Sequence, residues 1–206
     1  MNRKFNKTTL IVIIFILTFP LIAFAQSKDS DKKEPEIRPV YSLGDQTLSI
    51  NGGIFVPLFF QSTTGSISST NLTPGGVGSL EWNAYVNSNI KIGIEAGGVF
   101  AFSPNFNILL ILPITVKASY IFTYYPFDFP IFLGTGFDIM KYQDLSHIDF
   151  TIKPGFSIFW RYDTSWSFGL NVVYWWIFQA ATGDQPKDQT RMGNFLEISL
   201  SALYHF

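Results

Sequence analysis

Residues 194–206 read NFLEISLSALYHF, and the period of this stretch decides the fold. Leu196, Ile198, Leu200, Ala202, Tyr204 and Phe206 are apolar at every second position, while Glu197, Ser199, Ser201, Leu203 and His205 between them are mostly polar or small. Successive side chains of a strand point to opposite faces, so a period of two describes a ribbon whose two sides meet different surroundings.

The same alternation recurs in seven earlier segments. Leu48, Ile50, Ile54, Val56, Leu58 and Phe60 share one face, opposite Thr47, Ser49 and Asn51. Leu80, Trp82, Ala84 and Val86 follow, and then Ile90, Ile92, Ile94, Ala96, Phe100 and Phe102 after the turn Asn87-Ser88-Asn89. Beyond Ser103-Pro104-Asn105 comes the run Ile108, Leu110, Leu112, Ile114, Val116, Ala118, Tyr120 and Phe122. Past Tyr125-Pro126 come Ile131, Leu133, Thr135, Phe137 and Ile139. Ile148, Phe150, Ile152, Phe156, Ile158 and Trp160 make the cleanest segment, followed by Trp166, Phe168, Leu170, Val172, Tyr174, Trp176 and Phe178. Most segments reach the roughly 9–11 residues that a tilted strand needs to cross a bilayer. An even number of them predicts an all-β fold, an eight-stranded antiparallel up-and-down transmembrane β-barrel over residues 47–206.

The faces decide what lies outside. One is Ile, Leu, Val and aromatic almost throughout, too bulky to fill a barrel this narrow. The other carries Glu81, Lys91, Glu95, Lys117, Asp138, Lys153, Arg161 and Glu197, acids and bases able to pair across a small lumen. With both ends of the barrel on the periplasmic side, Tyr120, Phe122, Trp160, Trp166, Tyr204 and Phe206 gather at the lower rim. Phe60, Phe100, Phe102, Tyr174, Trp176 and Phe178 gather at the upper one, giving two aromatic girdles. Trp166 and Trp176 are ten positions apart, which is roughly 25 Å along the membrane normal at the usual rise and tilt.

Before the barrel, a basic stretch (Arg3, Lys4, Lys7) leads into an apolar run over residues 10–24 and ends in Ala23-Phe24-Ala25. Residues 1–25 therefore read as a cleaved export signal, with Gln26 as the mature start. Removing those three positive charges takes the formal net charge from -1 to -4. Such a balance offers no electrostatic reason to bind nucleic acid. Residues 26–46 are dense in charge, contain Pro35 and Pro39, and read as a flexible periplasmic tether. The chain has no cysteine, which excludes disulfides, thioether lipidation and thiolate metal sites. No cofactor and no metal are expected.

Alternating apolar residues and the terminal pair Tyr204 and Phe206 resemble the closing strand of bacterial outer-membrane barrels, where they serve as the signal read by the insertion machinery. Over residues 47–206 the architecture resembles the small barrels of the OmpW, OmpA and OmpX kind, and among these OmpW most. The resemblance implies a bacterial outer-membrane location, with membrane lipid and the insertion machinery as partners. Inward positions near the outside are Phe55, Phe59, Val99, Leu109, Ile111, Met140, Val173, Trp175, Ile177 and Phe195. Similarity to OmpW implies that they form an apolar pocket above a plug of paired charges, admitting a small hydrophobic compound that leaves sideways into the membrane. Two alternatives stay open. These side chains merely fill the upper lumen, since eight strands enclose a space just wide enough for side chains. Or the barrel is a structural or surface protein without transport activity, presenting loops 61–74 and 179–191 for adhesion or immune interaction. The oligomeric state is not legible.

Ser146, His147 and Asp149 are the residue types of a nucleophile, base and orienter. Adjacent residues of an extended chain point to opposite faces, which separates Ser146 from His147. No catalytic site is expected.

Overall fold

The computed structural model describes residues 41–62, 65–104, 107–142, 145–179 and 190–206. The expected export signal and most of the expected tether lie outside these residues. Among the described residues nine strands are formed: β1 (Gln46–Ser62), β2 (Ile67–Ser69), β3 (Gly75–Tyr85), β4 (Ile90–Phe102), β5 (Ile108–Tyr124), β6 (Phe127–Tyr142), β7 (Leu145–Arg161), β8 (Trp166–Gln179) and β9 (Arg191–His205). Eight of them build the wall. Neighbours in sequence pair antiparallel from β3 to β9, β1 pairs with β3, and β9 returns to β1, so the cylinder closes. The short β2 pairs with Phe59, Phe60 and Gln61 and carries the wall on above the end of β3.

Alternation along each strand sets the two surfaces. On β5 and β6, Ile114 and Ile131 are each 56% exposed, whereas their sequence neighbours Thr115 and Phe132 are 1% and 7% exposed. Water could not solvate an exterior of this composition favourably, so hydrocarbon is its solvent. Rings cluster at both rims. Below, Tyr120 packs on Phe122 and Trp166 on Tyr204; above, Phe150 lies between Phe137 and Phe178, and Tyr174 packs on Trp176. The chain is a closed eight-stranded β-barrel with a lipid-facing exterior.

Tight lower turns join the wall. Asn87 Oδ1 accepts from the backbone N–H groups of Asn89 and Ile90 at 2.8 Å each, and Asp163 Oδ1 accepts from those of Ser165 and Trp166 at 2.7 Å each. Side chains that satisfy backbone donors in this way stabilise short turns. Glycines on the inner face make room for lumenal rings. A Cβ on Gly155 would lie 2.6 Å from the Phe132 ring, and one on Gly169 2.6 Å from that of Phe159.

Proline interrupts the ladders because it has no N–H to donate. Pairing pauses beside Pro113 between β4 and β5, beside Pro130 between β6 and β7, and beside Pro154 between β7 and β8. In β1 the register shifts between Pro57 and Phe59 where it meets β9. A bulge of one residue reverses the alternation beyond it. Two expectations are corrected here. Phe59, expected to face the lumen, points away from the core, and Phe60, expected in the upper girdle, packs against the buried cluster instead. Strand β6 also begins at Phe127, before the expected Ile131, and so brings Asp128 into the wall.

Candidate functional site: the lumen

Three layers fill the barrel. At the lower end, the residues just ahead of β1 turn inward. Ser42 N–H donates to Asp45 Oδ2 at 2.8 Å, Gly44 N–H donates to the Tyr85 carbonyl at 3.0 Å, and Tyr85 N–H donates to the Asp45 carbonyl at 2.8 Å. This turn lays the Tyr41 ring between Tyr85 (centroids 4.3 Å apart) and His205 (5.2 Å). The Arg161 guanidinium lies 4.7 Å from the Tyr41 centroid. Arg161 also donates to both oxygens of Asp128 at 2.6 Å each, and Thr123 donates to Asp128 Oδ1 at 2.7 Å. Burial in this stack pushes the Tyr41 hydroxyl up to about 12, against a smaller downward pull from Arg161. The last residues of the stretch read as a tether are thus a structured cap on the lower mouth.

Above the cap lies a chain of charge. Lys117 is bound to Glu81 and, at 3.3 Å, to Glu95, and Glu95 in turn holds Lys153. Two of the bases also rest on rings. Lys117 Nζ is 4.3 Å from the Phe132 centroid, and Lys153 Nζ is 3.9 Å from that of Trp175. Trp175 Nε1 donates to Glu197 Oε2 at 3.0 Å, and Ser199 donates to Glu197 Oε1 at 2.8 Å. Asn171 donates to Ser199 and Asn51 at 3.2 and 3.4 Å, tying β8 to β9 and across to β1. Pairing and hydrogen bonding are what make buried charge tolerable. Two cavities, one beside Glu81 and Lys117 and one towards the cap beside Asp128 and His205, are each about 10 Å³, about one water apiece. The side chains of this layer are closely packed.

The third layer is apolar. Phe55, Val99, Ile111, Val173, Trp175, Ile177 and Phe195 are almost wholly buried and pack together, with Phe55 stacked on Phe195 at 4.9 Å and edge-on to Trp175 at 5.4 Å. Over them lies a vestibule of about 480 Å³. Phe60, Leu72, Leu109, Met140 and Phe195 give it its apolar surface, and Thr70, Asn71, Ser103, His147, Gln179 and Arg191 its polar one. Leu72 reaches it from the stretch between β2 and β3. There Asn71 takes a φ of 53°, and Thr73 N–H anchors the chain on the Phe102 carbonyl at 2.8 Å.

Of the expected pocket residues, Leu109, Met140 and Phe195 line the vestibule. Phe55, Val99, Ile111, Val173, Trp175 and Ile177 form its floor beneath, and Phe59 contributes to neither. The eight expected lumenal charges are all buried inside, from Asp138 at 0% to Lys117 and Arg161 at 7% exposed. Sequence reasoning missed Asp128 and left Asp149 out of this set, although Asp128 alternates with Phe127 and Phe129 as an inward residue should. It also missed Tyr41 and Leu72, which no period could flag because both lie outside the barrel strands. Ser146 is exposed on the outer side of β7, while Asp149 is buried and His147 lines the vestibule, so the three do not assemble. Tyr204 and Phe206 stack at 6.1 Å on the lower outer rim.

A protein-family model matches residues 27–204. An uncharacterized protein of Borreliella burgdorferi is 30% identical over 179 residues, covering 76% of this chain and 81% of that protein. Among solved structures, Neisserial surface protein A (NspA) superposes with a TM-score of 0.54 at 11% identity, covering 79% of this chain and 97% of that one. The outer membrane protein OprG from Pseudomonas aeruginosa does so with a TM-score of 0.51 at 10% identity, covering 81% and 97%. At these identities the two structures share the fold with this chain.

Proposed function

The chain belongs to one family with the Borreliella burgdorferi protein, and we propose that its vestibule takes up small hydrophobic compounds from outside the cell. The observation that carries this reading is a cavity of about 480 Å³, lined by Phe60, Leu72, Leu109, Met140 and Phe195 together with polar side chains, above packed rings and paired charges. Volume and lining fall in the range of small-molecule sites. A bound compound meets a packed floor, so its route onward is sideways through the upper wall. The one register shift between β1 and β9 lies at Pro57 and Phe59, beside the vestibule residue Phe60. In the same reading residues 1–25 are the export signal, residues 26–40 precede the barrel in the periplasm, and Tyr204 with Phe206 presents the closing strand to the insertion machinery.

Binding of a water-soluble alcohol such as hexanol to the refolded protein, followed by calorimetry, tests the proposal. Leu109→Arg puts a charge into the vestibule and is expected to abolish binding. Equal binding by wild type and Leu109→Arg would refute it.

A further inference from the structure

Among the described residues six carboxylates face the lumen (Glu81, Glu95, Asp128, Asp138, Asp149 and Glu197) against four bases (Lys91, Lys117, Lys153 and Arg161), and all ten are buried. Glu81 and Glu95 hold Lys117 and Lys153, Asp128 holds Arg161, and Glu197 accepts from Trp175 and Ser199. Lys91 lies in the lower lumen against Phe159. Asp138 and Asp149 remain. They stand directly opposite each other in the ladder between β6 and β7, which brings their Cβ atoms to within about 5.5 Å. Asp138 is 0% and Asp149 3% exposed. Both oxygens of Asp138 and Oδ2 of Asp149 accept no hydrogen bond among the described residues, and neither side chain forms an ion pair there. Lys153 and the Thr151 hydroxyl act on Asp138, and His147 acts on Asp149, but Lys153 is held by Glu95 and Thr151 donates to the Trp176 carbonyl. Thr115, one inward position along β5 from the residue opposite Asp138, likewise leaves its buried hydroxyl without a partner.

Two adjacent buried carboxylates demand either a cation or a shared proton, because like charges in a low dielectric cannot both persist alone. Position favours the cation. One inward step above the pair, Met140 faces His147 in the same ladder, and both line the vestibule. That step is two residues, roughly 7 Å of strand. We propose that Asp138 and Asp149 bind the ammonium head of an amphiphilic amine whose apolar body occupies the vestibule against Phe60, Leu72, Leu109 and Phe195. A primary ammonium carries three donors and no acceptor, and the site offers three unpartnered carboxylate oxygens. The apolar residues of the vestibule, one inward step above the pair, suit the body of an organic cation. This inference rests on the vestibule as a binding site and adds the class of its ligand.

Calorimetry on the refolded full-length protein in phosphatidylcholine vesicles compares hexylammonium with hexanol, two probes of equal chain length. Hexylammonium is expected to bind at least about tenfold tighter, which corresponds to about 1.4 kcal/mol. In Asp138→Asn/Asp149→Asn the two probes are expected to bind alike, with hexanol unchanged from wild type. Equal affinities in wild type, or an amine preference surviving in the double variant, would overturn the assignment while hexanol binding left the vestibule reading standing. Binding of neither probe would sink both. Should the double variant not fold, the wild-type comparison decides alone.

Discussion

Truncating Tyr41 to Ala removes a cap that belongs to no barrel strand, and its cost can be built up from the contacts. Two stacked partners, Tyr85 at 4.3 Å and His205 at 5.2 Å, are lost, each worth about 0.5–1.5 kcal/mol. The Arg161 contact at 4.7 Å goes as well, worth about 0.5–2 kcal/mol according to its desolvation. The sum is about 3 kcal/mol. Urea unfolding of the refolded protein in lipid vesicles, followed by tryptophan fluorescence and by heat-modified gel migration, measures it. Tyr41→Phe keeps the ring and is expected to retain most of this stability at neutral pH. Alkali separates the two further. The folded hydroxyl sits near 12 and the unfolded one near about 10. Between these values the folded chain keeps a proton that the unfolded chain has released. The contribution is therefore intact below pH 10 and falls as pH rises towards 12. Wild type should lose stability relative to Tyr41→Phe across that window, with a slope of about one proton. A Tyr41→Ala variant within about 0.5 kcal/mol of wild type, or parallel alkaline curves for wild type and Tyr41→Phe, would refute the cap.

Glu95→Gln strips the shared partner from buried Lys117 and Lys153 and should cost about 3–5 kcal/mol, with Glu95→Leu/Lys153→Met recovering much of it in a double-mutant cycle. Ile114→Arg, in the middle of the outer face of β5, is expected to destabilise folding into bilayers by about 2–4 kcal/mol. The bulge in β1 predicts opposite labelling of two neighbours in a chain with no native cysteine. A water-soluble maleimide added outside should modify Phe60→Cys, and a membrane-confined reagent should modify Phe59→Cys. The reverse pattern would place the register shift elsewhere.

The barrel and its two faces were legible in the residues themselves, because a period of two commits every second side chain to one solvent and the other set to its opposite. Ile94 and Glu95 need no coordinates to be assigned outward and inward. The limits of that reasoning are equally physical. Alternation carries no mark where a strand gains one residue, so the exchange of Phe59 for Phe60 had to come from the pairing of β1 with β9. Nor does a sequence period say how far side chains reach across a lumen. That distance turned Phe55, Trp175 and Ile177 from a presumed lining into a packed floor, and left the open space to Leu72 and His147. Tyr41 lies outside every strand, and its place beneath the charges follows from a turn held by Tyr85. Which carboxylates find a base is likewise a matter of distance around the cylinder. Asp138 stands beside Asp149 while Lys153, which acts on Asp138, is held by Glu95, in a chain whose overall balance is nearly neutral.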